Sequence, residues 1–151
     1  EHIVPYVIEP SFGVDRAVMA LLVDAYTEDE VVDAKGKTET RVVLKLHPSV
    51  APLKVAVLPL SKKEPVSTLA REVVGQIRGS GAIEGVIQYD DTQSIGRRYR
   101  RQDEVGTPLC VTVDFDSLDD SQVTIRERDS MEQVRVPIAG LEAELAGRLK
   151  G

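Results

Sequence analysis

Across residues 1–50 the apolar positions form two patches divided by a polar run. Val7-Ile8-Glu9 reads as a short strand that breaks at Pro10. Val14, Ala17, Val18, Leu21, Leu22 and Ala25 then recur at helical spacing, which predicts a helix over 12–26. Ser11 is placed to cap that helix, and Asp15 lies near the positive end of its dipole. Thr27-Glu28-Asp29-Glu30 and the polar stretch 33–39 predict an exposed loop or hairpin turn before a strand at 41–46. A strand so close to the start of a chain has few partners, so this part reads as the tail of something larger. Pro48 and Pro52 bracket a connector and place a domain boundary between 1–50 and 51–151.

From residue 54 the pattern alternates between strand and helix. Val55-Ala56-Val57-Leu58 is continuously apolar, as a strand buried on both faces must be. Pro65 suits a first helical turn; Val66, Leu69, Ala70, Val73, Val74 and Ile77 line one face, and Gly79 is the expected stop. A second strand is expected over 83–89, a basic helix over 94–104 ended by Gly106 and Pro108, and a third strand over 109–115. Two more strands at 122–128 and 133–137 precede a last helix from about Leu141. The order β-α-β-α-β-β-β-α predicts an α/β fold in which parallel crossovers join the first three strands and helices cover the sheet.

Composition narrows the chemistry. A formal net charge of −6 argues against broad, sequence-blind nucleic-acid binding and leaves room only for a local basic patch. The single cysteine, Cys110, rules out an internal disulfide framework and reads as buried filler within Leu109-Cys110-Val111. No apolar run reaches the roughly 18 residues of a membrane span, and the start lacks a signal-peptide pattern, so a cytoplasmic setting with no membrane partner is expected.

Three clusters carry candidate chemistry. Arg97, Arg98, Arg100 and Arg101 fall within one half of the 94–104 helix, opposite Ile95 and Tyr99. They suit phosphate or carboxylate, or equally a solvated face paired with Asp103 and Glu104. Strand alternation puts Thr124, Arg126 and Arg128 on one face, followed by Asp129 and Ser130. That mixture suits base edges, and it also suits a plain polar sheet face. Asp90, Asp91, Asp114, Asp116, Asp119 and Asp120 sit at strand ends and fit either Mg²⁺ binding or, better, turn and helix capping. With His2 and His47 far apart and no CxxC, HExxH or phosphate loop, no metal site or catalytic triad is expected.

Glu9-Pro10-Ser11-Phe12-Gly13-Val14-Asp15-Arg16 resembles motif 3 of the class II aminoacyl-tRNA synthetases, in the form of the glycyl-tRNA synthetase family. The stretches Leu58-Pro59-Leu60, Ser94-Ile95-Gly96-Arg97-Arg98-Tyr99, Asp103-Glu104-Val105-Gly106-Thr107-Pro108, Val111-Thr112-Val113-Asp114-Phe115-Asp116 and 126–135 resemble that family's C-terminal anticodon-binding domain. The resemblance covers almost the whole chain.

It implies a three-layer anticodon-binding domain with a mixed five-stranded sheet, preceded by a strand–helix–strand remnant of the class II catalytic domain. It implies that Arg16 contacts ATP and that Glu9 and Ser11 belong to the glycine pocket. It implies tRNA(Gly) as partner, with Arg126, Arg128 and Asp129 near the anticodon bases, Phe115 stacking, and Arg97, Arg98, Arg100 and Arg101 on backbone phosphates. Arg128→Ala is then expected to relax discrimination at one base by roughly 1–3 kcal/mol. The parent enzyme so implied is an ATP- and Mg²⁺-dependent glycine–tRNA ligase and a homodimer. Motifs 1 and 2 have no counterpart in this sequence, so the chain alone is expected to bind tRNA without cofactor and not to charge it. Two other readings are a non-catalytic relative, such as an accessory subunit of a mitochondrial DNA polymerase, and a small flavodoxin-like protein using Asp114 and Asp116.

Overall fold

A computed structural model describes residues 2–32, 36 and 38–150 of the chain. The apolar spacing after Gly13 produces helix α1 (Val14–Ala25), followed directly by an antiparallel hairpin of β1 (Tyr26–Val32) and β2 (Thr38–Leu44). The remaining elements are β3 (Leu53–Pro59), α2 (Val66–Ser80), β4 (Val86–Tyr89), α3 (Ile95–Val105), β5 (Leu109–Val113), the single turn α4 (Ser117–Asp120), β6 (Gln122–Glu127), β7 (Gln133–Pro137) and α5 (Leu141–Leu149).

The main sheet has five strands in the order β4-β3-β5-β6-β7. β3 pairs in parallel with β4 and β5, while β5–β6 and β6–β7 are antiparallel, so the sheet is mixed as expected. On one face Val55, Val57, Val111, Val113, Val123 and Ile125 pack against Val66, Ala70, Val73 and Ile77 of α2 and Leu141 and Leu145 of α5. On the other, Ala56, Leu58 and Cys110 lie beneath Ile95 and Tyr99 of α3. β3 and β5 are therefore apolar on both sides, which explains their unbroken hydrophobic runs. Each fully buried Val or Ile contributes about 1.5–3 kcal/mol to this core.

The N-terminal quarter departs from expectation. Residues 2–13 contain no strand and are exposed. An extended segment needs a neighbour to take its backbone hydrogen bonds, and no strand of the described residues lies beside it. α1 begins two residues later than expected, with Gly13 rather than Ser11 at the N-cap and no side-chain cap. Of its apolar stripe only Ala25 is buried; Val14, Val18, Leu21 and Leu22 are exposed.

The polar run 27–30 is strand, not loop. Thr27, Asp29 and Val31 alternate inward while Glu28 and Glu30 face solvent, and the whole of β1 is paired to β2 in continuous register. Paired backbone and inward-facing Asp29 outweigh the poor strand propensity of the acidic residues. The expected turn at Asp33, Ala34, Lys35 and Lys37 lies outside the described residues. Further on, α2 passes through Gly79 and stops at Gly81, whose left-handed φ of 65° suits a residue without Cβ.

Candidate nucleic-acid interface

Alternation along β6 sends Val123 and Ile125 into the α2/α5 core and Thr124 and Arg126 to the opposite face. Register sets two rows across that face. One runs Leu58, Thr112, Thr124, Arg135; the other runs Ala56, Cys110, Arg126, Gln133. α3 covers the β3 and β5 ends of these rows, leaving Thr124, Gln133 and Arg135 partly or fully open. The Tyr99 hydroxyl and the Thr112 hydroxyl are hydrogen-bonded at the border.

The basic residues on this face do not lie open. Arg126 donates through Nη1 to Asp103 Oδ1 at 2.9 Å and through Nη2 to Asp103 Oδ2 at 3.1 Å. Its guanidinium carbon lies 4.8 Å from the centroid of Tyr99, a cation–π contact. Burial alone would lower its pKa, but the Asp103 hydrogen bonds and charge reverse the sign and raise it. Asp103 also accepts from Nε of Arg41 on β2 at 2.8 Å, and Arg41 donates to the Arg128 carbonyl and lies 3.5 Å from Asp29. One buried carboxylate of α3 thus joins hairpin to sheet.

Arg128 completes the joint. Its Nη1 donates to the Leu46 and Gly106 carbonyls, both at 2.9 Å, and its Nε and Nη2 hold the Asp129 carboxylate at 2.7 and 2.8 Å. The Arg128 hydrogen bonds hold the Asp129 carboxyl below its ordinary range. Arg126 and Arg128 are the two arginines expected near the anticodon bases. Both are buried, because the hairpin and α3 close over their side of the sheet. Asp129, paired but 57% exposed, remains accessible.

The expected arginine face of α3 divides in two. Arg98 is only 2% exposed and donates to the carbonyls of Pro59, Asp90 and Gln93. It lies three residues after Ile95 and four before buried Gln102, so it belongs to the inward stripe of the helix. Arg101 is held by Asp90, and Arg100 lies 3.8 Å from Glu39 of β2. Arg97 is exposed.

Phe115, at the end of β5, is 56% exposed. Beside it Arg135 bridges Asp114 at 2.8 Å and Asp120 at 2.9 Å, which depresses both carboxyls. The strand-end aspartates mainly cap: Asp90 accepts from Thr92, Asp114 from Ser117, and Asp120 from the Gln122 amide. Among the described residues no three metal-ligating side chains converge. Burial pushes the Cys110 thiol up to about 12, so it stays protonated. Glu9, Ser11 and Arg16 are all exposed, the first two in the irregular N-terminal segment and the third on α1.

Arg41 and Asp103 were not singled out by sequence reasoning as the centre of the joint. A signal was present: Arg41 shares strand parity with Val43, and both are buried.

Comparison with known proteins is consistent along the chain. Residues 54–148 match the family model described as anticodon binding domain. The glycine–tRNA ligase of Thermobifida fusca is 56% identical over 148 residues, covering 98% of this chain and 31% of that protein. Those of Corynebacterium glutamicum (56% identical, all of this chain, 32% of that protein) and Staphylococcus epidermidis (54%, 99% and 30%) are similarly related. The chain thus spans about a third of the length of these relatives. A solved prolyl-tRNA synthetase from Cryptosporidium parvum, complexed with L-proline and AMP, shares the fold with a TM-score of 0.63 at 23% identity, covering 80% of this chain and 30% of that one.

Proposed function

Because this chain belongs to the anticodon-binding domain family, in its glycyl-tRNA synthetase form, we propose that it grips the anticodon arm of tRNA(Gly). The observation that carries this reading beyond the family is that Arg97 and Arg100 of α3 are fully or partly open to solvent while Arg98 of the same helix is buried. In a molecule of net charge −6 they give a local phosphate-binding edge rather than a general one. Phe115 offers a ring for an unstacked base, and Asp129 offers an acceptor for a cytosine amine. Arg98, Arg126 and Arg128 build the platform from inside.

We assign the parent activity as ATP-dependent ligation of glycine to tRNA by a cytoplasmic homodimer. The exposed guanidinium of Arg16 suits the charge of ATP phosphates, and Glu9 and Ser11 suit a small ammonium-bearing substrate. No metal step is assigned to these residues. Residues 1–151 alone are expected to give no glycine-dependent ATP–pyrophosphate exchange. Titration of a labelled glycine anticodon stem-loop tests the binding reading; saturable binding supports it, and no binding at moderate salt defeats it. No helix of the described residues is long and apolar enough to cross a membrane.

A further inference from the structure

The β1–β2 hairpin is held to the rest of the molecule mainly by charge and hydrogen bonds. Its apolar contacts are few: Val43 is fully buried, and Ala25, Leu46 and Ala51 form a small cluster with Leu44 against it. The sheet itself is closed by the continuous core beneath α2 and α5. Three polar fastenings follow one another along the hairpin. At its base Arg128 donates to the Leu46 carbonyl at 2.9 Å. In the middle of β2, Arg41 donates to Asp103 at 2.8 Å and to the Arg128 carbonyl. Farther out Glu39 lies 3.8 Å from Arg100 in an exposed pair, which adds little.

The middle fastening is the decisive one. Asp103 Oδ2 accepts from Arg41 Nε at 2.8 Å and from Arg126 Nη2 at 3.1 Å, so two guanidiniums converge on one buried oxygen. Without that carboxylate charge the two cations repel in a joint shielded from water. Arg126 is fixed on β6 and stacked over Tyr99, so Arg41 and its strand are the side that can leave. A pivot is also present. Pro48 and Pro52 have no N–H to donate, and Val50 and Ala51 both donate to the His47 carbonyl, so the connector closes on itself. Lys54, at the start of β3, ties the connector to the sheet through the Pro48 and Ser49 carbonyls.

We propose that the hairpin undocks from the main sheet as a unit, turning about residues 47–52, and that Asp103 is the latch that holds it closed. α1 runs into β1 without a break and moves with it. The device joins a segment outside the family-matched residues 54–148 to the module within them, and it does not depend on the RNA-binding reading. An isolated two-stranded hairpin is marginal in water, so undocking exposes the β1 and β2 amides to exchange.

The test is native-state hydrogen exchange of the whole chain in increasing urea, followed by mass spectrometry of peptides from β1–β2 and from β3 and β5. In wild type the hairpin amides are expected to exchange at least about tenfold faster than those of β3 and β5, with a weaker dependence on urea. Asp103→Asn should speed hairpin exchange by about a hundredfold or more while that weaker dependence persists, the mark of local opening. Arg41→Gln, which leaves the Asp103–Arg126 pair in place, should act in the same sense and serves if Asp103→Asn does not fold. Hairpin and sheet amides that share one rate and one urea dependence in wild type would overturn the separate motion. Hairpin exchange unchanged in both variants, or accelerated only with the urea dependence of the sheet, would overturn the latch.

Discussion

Arg97 and Arg98 are neighbours in sequence and point in opposite senses, one to solvent and one beneath α3. The same division separates exposed Asp129 from buried Arg128, although the two are hydrogen-bonded. Arg128→Ala would leave the Leu46 and Gly106 carbonyls without their donor and release Asp129. Removing one partner of a buried charge network costs on the order of 3 kcal/mol, and a fall of that size is expected in urea unfolding. Any loss of RNA affinity should be the same for every loop; a stable variant with selective loss at one base would return Arg128 to the bases. Identity and spacing made the basic clusters legible in the sequence. Their burial was not, because β6 alternation gives the face of Arg126 and Arg128 but not what covers that face.

α3 is the element on which platform and RNA edge meet. Reversing Arg97 and Arg100 to Glu should leave the fold intact, lower affinity for all loops and reduce the salt dependence of binding by about one phosphate contact per arginine lost. Arg98→Glu should instead abolish folding, since it sets a carboxylate against three carbonyls; circular dichroism separates the two cases. The C-terminal end of α3 is equally constrained. Gly106 has φ 81°, and a Cβ there would lie 2.9 Å from the Leu44 backbone oxygen. Gly106→Ala is expected to cost roughly 2 kcal/mol, seen as a lower thermal midpoint. The helix and its glycine stop were readable from the sequence; Ser94, expected within the helix, is its N-cap. The contact of its end with the hairpin was not, because β1 is acidic enough to resemble a loop until its pairing is known.

In the molecule as a whole, hairpin and five-stranded sheet are tied through Arg41, Asp103 and Arg128, although the family match begins only at residue 54. Charge pairing also sets the acid response. Asp90, Asp114, Asp120 and Asp129 all have lowered pKa values. Hydrogen bonds from Arg135 come first for Asp114 and Asp120, and from Arg128 for Asp129. For Asp90, burial opposes the shift and bonds from Thr92 and Arg101 outweigh it. With folded values below unfolded ones, the unfolded chain binds more protons in acid. This stabilisation is full above about pH 4 and is lost as pH falls through the folded values. The urea midpoint should therefore drop on going from neutral pH to about pH 3, and less so in Asp114→Asn. The parallel pairing of the first three strands of the main sheet followed from the β-α-β rhythm, whereas the exposed state of residues 2–13 depends on partners that no local pattern encodes.

Equilibrium binding of this chain to a glycine anticodon stem-loop, compared at about 0.15 M salt with the same hairpin after both adjacent anticodon cytosines are replaced, bears most directly on its role. The account predicts at least about tenfold weaker binding of the replaced hairpin. Equal affinity for the two would contradict it.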